Sequence, residues 1–204
     1  MKILVTGFEP FGGEDRNPSA EVVEKLPDKI SGAEIVKLII PVVREKSSTE
    51  IKKAVEKFSP DMILSIGQAG GRSAISVERV AVNLDDYRIP DNEGNQPVEE
   101  PVVPGGPDGY FCTVPAKQMV KAISEAGVPA QESLSAGTFV CNHVMYRTLH
   151  LLNTCYPDKT FGFIHIPYLP EQVTGKPGMP SMSLELSEKA IKTAIECMIK
   201  EMTR

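Results

Sequence analysis

The chain contains no tryptophan, three histidines and four cysteines among its 204 residues. None of the cysteines (Cys112, Cys141, Cys155, Cys197) has a neighbour at CxxC spacing, which argues against a zinc site or a dithiol redox motif. Four free thiols in a reducing compartment are expected instead. Long apolar runs are also missing. Nothing approaches the ~18–20 residues that a transmembrane helix needs. The run Ile3-Leu4-Val5 gives way to Thr6, Glu9 and Pro10, unlike a secretory signal. The expected location is therefore cytoplasmic. Nor is there an excess of base: 22 Lys and Arg stand against 27 Asp and Glu, a net charge of −5. Without a basic tract, neither nucleic acid nor an anionic membrane is an expected partner.

What remains is an ordinary globular composition, 41% apolar and 24% charged, in a chain long enough to bury a core without staples. Strand patterns fall at Lys2–Thr6, Ile35–Val43, Met62–Ile66, Ile75–Leu84, Gln131–Ser133 and Phe161–Ile166. Helical patterns lie between them. One starts at the cap Asn17-Pro18 and stops at Pro27, and one is capped by Ser47 or Ser48 with Ile51, Ala54, Val55 and Phe58 on one face. Others run from Pro115 to Gly127, from Phe139 to Leu152 and from Leu184 to Met202. This alternation predicts a single α/β domain over residues 1–204, an open, twisted, mainly parallel sheet with helices on both faces. A Pro/Gly-rich arm at about 85–109 and a second proline-rich loop at 167–180 interrupt it, and loops of that length are usually functional.

Three side chains have both reactive chemistry and a suggestive position. Cys141 stands where a loop enters a helix, and a thiol in a first turn feels the positive end of the macrodipole, which favours thiolate. His165 lies near the carboxyl end of an apolar strand, where open α/β sheets place their ligand crevice. Glu78 sits among Ile75, Val77, Val80 and Val82, and a carboxylate there is costly unless it is paired. Arg79 points to the other face of the strand, so a histidine N–H is the better partner for Glu78, fixing the imidazole tautomer. His143 and His150 are seven apart on one helix with no third ligand nearby, and read as packing or surface residues rather than a metal site. Cys112, Cys155 and Cys197 lack the helix-start context of Cys141.

Two glycine-rich turns follow strands. Gly7 to Gly13 has no GxGxxG fingerprint and carries Phe8 and Phe11 instead. Gly67-Gln68-Ala69-Gly70-Gly71-Arg72 could cradle a phosphate or an oxyanion on its amides, but lacks the Lys-Ser/Thr ending of a P-loop.

Motifs over nearly the whole chain resemble the pyroglutamyl peptidase type I family, also called pyrrolidone-carboxylate peptidase. They are Thr6 to Gly13 with Asn17-Pro18-Ser19, Gly67 through Glu78-Arg79 and Asn83, Arg88-Ile89-Pro90-Asp91-Asn92, Ser135-Ala136-Gly137 through Cys141-Asn142, and Gly162 to His165. The resemblance implies a cysteine peptidase that removes an N-terminal pyroglutamyl residue from peptides, with no metal and no cofactor. It also implies a cytoplasmic homotetramer, and it puts the family's triad on Glu78, Cys141 and His165.

The expected reaction follows. His165 takes the Cys141 proton or holds it as an ion pair, and the sulfur attacks the pyroglutamyl carbonyl while Glu78 orients the ring. Backbone N–H groups at Cys141 and at Gly70-Gly71 are the oxyanion-hole candidates, with Arg88 an electrostatic contributor by resemblance. Phe8, Phe11, Phe139 and Val140 are the expected walls for the neutral lactam, and Gln68 and Asn17 its polar contacts. An N-terminal glutamine would bring an unpaired ammonium into such a pocket. Two rivals predict different behaviour: a phosphate-dependent transferase using the 67–72 turn, and a non-catalytic peptide-binding module using the arm.

Overall fold

The computed structural model describes residues 1–203, so Arg204, the last residue of the expected domain, lies outside the described residues. Seven strands form one sheet. β1 (Lys2–Phe8) lies between β3 (Ala33–Ile40) and β4 (Met62–Gln68), parallel to both. β9 (Thr160–Ile166) continues the parallel run beside β4, and the short β2 (Lys29–Ile30) turns back onto β3. β5 (Ile75–Glu78) pairs antiparallel with β9 and carries β8 (Ala130–Ser133) parallel at the far edge, giving the order β2-β3-β1-β4-β9-β5-β8.

The strands are apolar on both sides because both sides are covered. Ile3 and Val5 of β1, Met62, Leu64 and Ile66 of β4, and Ile164 and Ile166 of β9 pack on one side. There they meet α1 (Pro18–Lys25), α3 (Ala116–Glu125) and α5 (Leu184–Met202). The alternate residues Leu4, Phe8, Ile63, Phe161 and Phe163 face α2 (Arg44–Phe58) and α4 (Val140–Cys155). The expected mainly parallel α/β architecture with two helical layers is therefore what the chain adopts. Period-two alternation has a direct consequence for function: His165, two residues after Phe163, and Glu78, one after Val77, both fall on the α4 side.

Several boundaries differ from the sequence reading. The expected strand Ile75–Leu84 breaks at Arg79 into β5 and β6 (Val80–Val82), and β6 pairs in a separate ribbon with β7 (Gly109–Phe111). The apolar pattern continues through the break because β5 is buried throughout and β6 keeps Ala81 buried, so periodicity could not signal the change of sheet. α2 begins at Arg44, ahead of either expected serine cap. Ser47 and Ser48 instead donate back to the carbonyls of Arg44 and Glu45 inside the first turn. β4 runs on through Gly67 and Gln68, placing both in the sheet rather than in the turn.

The arm is fastened to its own fold at its base. Arg44 donates from Nε to Asp85 Oδ2 at 2.7 Å and from Nη1 to Glu100 Oε2 at 2.7 Å, and its backbone N–H donates to Asp91 Oδ2 at 2.9 Å. Asp85, fully buried, also accepts from His143 Nδ1 at 2.8 Å. His143 is thus no idle packing residue; it joins α4 to the arm. A buried carboxylate survives here because two donors meet it.

Candidate active site

The site is assembled where the carboxyl ends of β1, β4 and β9 meet the start of α4. α4 opens at Val140, with Phe139 as a cap residue that makes no side-chain cap hydrogen bond. The first amides of a helix have no intrahelical acceptor; in α4 the earliest such bond is His143 N–H to Phe139 O, leaving the Cys141 amide free of one. Asn142 locks this turn in place, accepting from Val82 N–H at 3.0 Å and donating to the carbonyls of Val82 and Leu84.

Beneath Cys141 lies Gly67 of β4. A Cβ at this glycine would lie 3.0 Å from Cys141 Sγ, 3.0 Å from Phe163 Cζ and 3.1 Å from His165 Cδ2. Thiol and imidazole therefore flank one point above the sheet, although no hydrogen bond joins them among the described residues. His165 Nδ1 is 2.8 Å from Glu78 Oε1. A carboxylate only accepts, so Nδ1 carries the proton and Nε2, bonded to Cδ2, keeps its lone pair. Glu78 is fully buried and shares the same oxygen with Arg72, whose Nη1 donates to it at 2.6 Å and whose Nη2 donates to Ser135 O at 2.9 Å. Arg79 turns away and pairs with Glu132, as its strand position implied.

Burial opposes charge on every member of this cluster. For Glu78 the burial penalty is outweighed by His165 and Arg72, which hold the carboxyl below its ordinary value. His165 lies below its ordinary value because burial, helped by the Arg72 charge, outweighs the pull of Glu78. Burial pushes the Cys141 thiol up to about 12, with the Glu78 charge adding to the rise and Arg72 opposing it. Burial around Cys141 thus works against the thiolate that the helix start favours. The macrodipole at the helix terminus, about 0.3–2 kcal/mol, acts in the opposite direction.

Next to the thiol is a small, nearly filled pocket lined by Phe8, Phe11, Asn17, Val42, Gln68, Phe139, Val140 and Cys141. All six side chains expected to meet the lactam reach it, together with Val42, which no local pattern singled out. No carboxylate lines it. Asn17 is largely committed: its Oδ1 accepts from Ser19 N–H and Ser19 Oγ, and its Nδ2 donates to Glu9 O. Phe11 and Phe139 stand 5.9 Å apart between centroids at 35°, and Tyr87 meets Phe139 edge-on at 4.7 Å. Phe11 and Phe139 also border an open cleft of about 650 Å³ with Asp86, Arg88, Ile89 and Thr138, so Arg88 sits beside the pocket rather than in it. Gly70 packs on the Tyr168 ring, where a Cβ would come within 2.3 Å, and Gly71 follows at φ +86°, turning the chain so that Arg72 reaches back to Glu78. The 67–72 turn thus delivers a guanidinium. Arg72 is the residue that reading from sequence missed; its only signal was a lone cation after a glycine turn, six residues before an acid in need of a partner.

The remaining thiols play no part in this arrangement. None of the four cysteines forms a disulfide among the described residues, and burial raises the Cys112 thiol to about 12 as well. Among the described residues no helix is long and apolar enough to cross a membrane.

Comparison with known proteins agrees over the full length. The Pyroglutamyl peptidase family model matches residues 1–201. The pyrrolidone-carboxylate peptidase of Clostridium botulinum is 52% identical over 203 residues, covering 100% of this chain and 95% of that protein. That of Treponema denticola is 56% identical, covering 98% and 94%. A crystal structure of pyroglutamyl peptidase I from Bacillus amyloliquefaciens superposes with TM-score 0.94 at 47% identity, covering 97% of this chain and 94% of that one. A mutant pyrrolidone carboxyl peptidase from Pyrococcus furiosus gives TM-score 0.96 at 47% identity, covering 99% and 100%. These matches define the class as a cysteine-type exopeptidase. More narrowly, the chain belongs to the pyroglutamyl peptidase family.

Proposed function

We propose that the protein hydrolyses the amide bond after an N-terminal pyroglutamyl residue through a thioacyl-enzyme, with Cys141 as nucleophile, His165 as general base and then acid, and Glu78 orienting the ring. The observation that carries this reading is the setting of His165: a carboxylate on Nδ1, and a Cδ2 edge that borders the same space over Gly67 as Cys141 Sγ. Since burial works against charge on both partners, the base route is preferred to a standing ion pair. His165 Nε2 removes the thiol proton as Sγ attacks the carbonyl carbon, and returns it to the leaving amine as the C–N bond breaks. Water, deprotonated by the same nitrogen, then opens the thioester. The unbonded Cys141 amide is the oxyanion donor we favour, joined by the Gly70-Gly71 amides, with Arg88 acting from the adjoining cleft.

In this reading Phe8, Phe11, Phe139 and Val140 enclose the lactam ring, and Gln68 and Asn17 meet its polar edge. A ring sandwiched at van der Waals distance on both faces needs about 7 Å between its walls. Phe11 and Phe139 must therefore part on binding. Supported by family membership, this reading leaves nothing in favour of a phosphate-dependent transferase or a non-catalytic module.

We also infer a single-domain subunit with the arm at about 85–109, working in the cytoplasm as a homotetramer. Acidic composition and the absence of disulfides among the described residues support the compartment, and the exposed apolar side chains Val98, Phe111 and Leu134 support self-association. Light scattering of the purified protein tests the assembly, and a monomer at working concentration would refute it. Hydrolysis of a pyroglutamyl fluorogenic amide by wild type, Cys141→Ser and His165→Ala tests the triad. Activity in the wild type and its loss in both variants are expected; variants turning over at the wild-type rate would end the assignment.

A further inference from the structure

Gln68 in the pocket wall carries a carboxamide, which can present either a donor or an acceptor to a ligand, and a second glutamine decides which. Gln172 stands in the loop after β9, in a short 3-10 helix over Pro170–Val173. Its Oε1 accepts from the Leu169 backbone N–H at 2.9 Å. Its Nε2 faces Glu14 Oε2 and Arg16 O, each at 3.3 Å. A backbone N–H only donates, while a carboxylate and a carbonyl only accept, so the orientation of the Gln172 amide is fixed by its surroundings. The same Nε2 lies 2.9 Å from Gln68. A donor needs an acceptor, so Gln68 must turn Oε1 toward Gln172. That leaves the Gln68 Nε2, which has no partner among the described residues, as the group left for the pocket it lines. Gln68 is only 6% exposed, so an amide facing the wrong way would find little water to satisfy it.

We propose that Gln172 is a specificity-determining positioning residue that holds Gln68 as a hydrogen-bond donor, and that this polarity selects an acyl group bearing a ring carbonyl over a prolyl group. The inference rests on the reading of the pocket given above. Pyroglutamyl and prolyl residues share the five-membered ring. The first offers a ring C=O that Gln68 Nε2 can meet; the second offers a methylene there and carries an ammonium in place of the amide N–H. Glu14 is kept in place by its ion pair with Lys176, so the relay runs from the β1–α1 loop through Gln172 into the pocket.

Reversing the relay provides the test. In the double variant Glu14→Gln/Gln172→Glu, residue 172 becomes an acceptor on both oxygens without facing a second carboxylate. Gln68 must then donate to it and present Oε1 to the pocket. For a pyroglutamyl fluorogenic amide, KM should rise about ten- to a hundredfold with a smaller change in kcat, since a hydrogen bond is exchanged for two opposed acceptors. The ratio of pyroglutamyl to prolyl turnover should fall. Gln172→Met, which leaves the Gln68 amide free to turn, should raise KM by a smaller factor, about threefold. The alkylation rate of Cys141 in each variant reports an intact nucleophile. A variant with wild-type alkylation, KM and preference overturns the inference, as does a fall in kcat with KM and preference unchanged. A wild type unable to cleave the pyroglutamyl amide would instead refute the proposed function, and the inference with it.

Discussion

Arg72 offers the sharpest test of how the site holds its charges. In Arg72→Met the stem and much of the packing survive, while the guanidinium that donates to Glu78 at 2.6 Å is lost. Removing one partner of a buried ion pair typically costs about 3–5 kcal/mol. Here His165 still donates to Glu78 and the Arg72 side chain is 23% exposed, so about 2–3 kcal/mol is the appropriate scale. For a chain of this length that corresponds to a fall in Tm of about 4–12 °C. The chemical effect has a definite sign. Arg72 presses His165 downward, so its removal lets the imidazole become more basic. The acid limb of kcat/KM should therefore move to higher pH, while Glu78 rises toward its ordinary value. Calorimetry and pH–rate profiles of a fluorogenic amide read both effects. Arg72→Lys, which can reach only one of the two oxygens the fork reaches now, should fall between. A Met variant with unchanged Tm and an unmoved acid limb would show that Glu78 does not depend on the guanidinium.

Three further outcomes follow from the same geometry. In the fold, His165 and Glu78 both titrate below their unfolded values of 6.5 and 4.5. Stability should thus be full above 6.5, decline as His165 is forced to protonate, and decline again below 4.5; a denaturation midpoint constant from about pH 7 to pH 4 would contradict this. Gly67→Ala places a methyl 3.0 Å from Sγ and 3.1 Å from the imidazole, and should lower kcat about 10²-fold with a modest stability loss; unchanged kcat would mean that the gap over Gly67 is not where sulfur and ring meet. Iodoacetamide should inactivate in step with labelling of Cys141, slowly because of the raised thiol, and substrate should protect. Cys155, which is exposed, should label without loss of activity, so the correlation is read peptide by peptide in a mass spectrum; full activity with Cys141 alkylated would refute its role.

What could be read from sequence was whatever local chemistry determines. A histidine at a strand's carboxyl end, a thiol at the mouth of a helix and an acid in an apolar strand each stand out alone, and the structure gathers all three. Legibility failed where a partner comes from far along the chain. Arg72 looked like part of an anion loop because its acceptor is fixed only by the turn at Gly70-Gly71. The break at Arg79 was hidden because β6 is drawn out of the main sheet by β7, some thirty residues later in the chain. Val42 reaches the pocket only because β3 lies beside β1. The burial that opposes charge on the sulfur was hidden for a related reason: a helix start is visible in sequence, whereas the depth of burial around it is not.

The pocket beside Cys141 has aromatic and aliphatic walls, two carboxamides and no acid among its lining. An enzyme built around such a chamber cannot be processive. Each cut exposes a fresh α-ammonium on the shortened chain, and that charge finds nothing there to balance it. Turnover therefore ends after one residue, leaving the rest of the peptide intact for aminopeptidases that require a free amine.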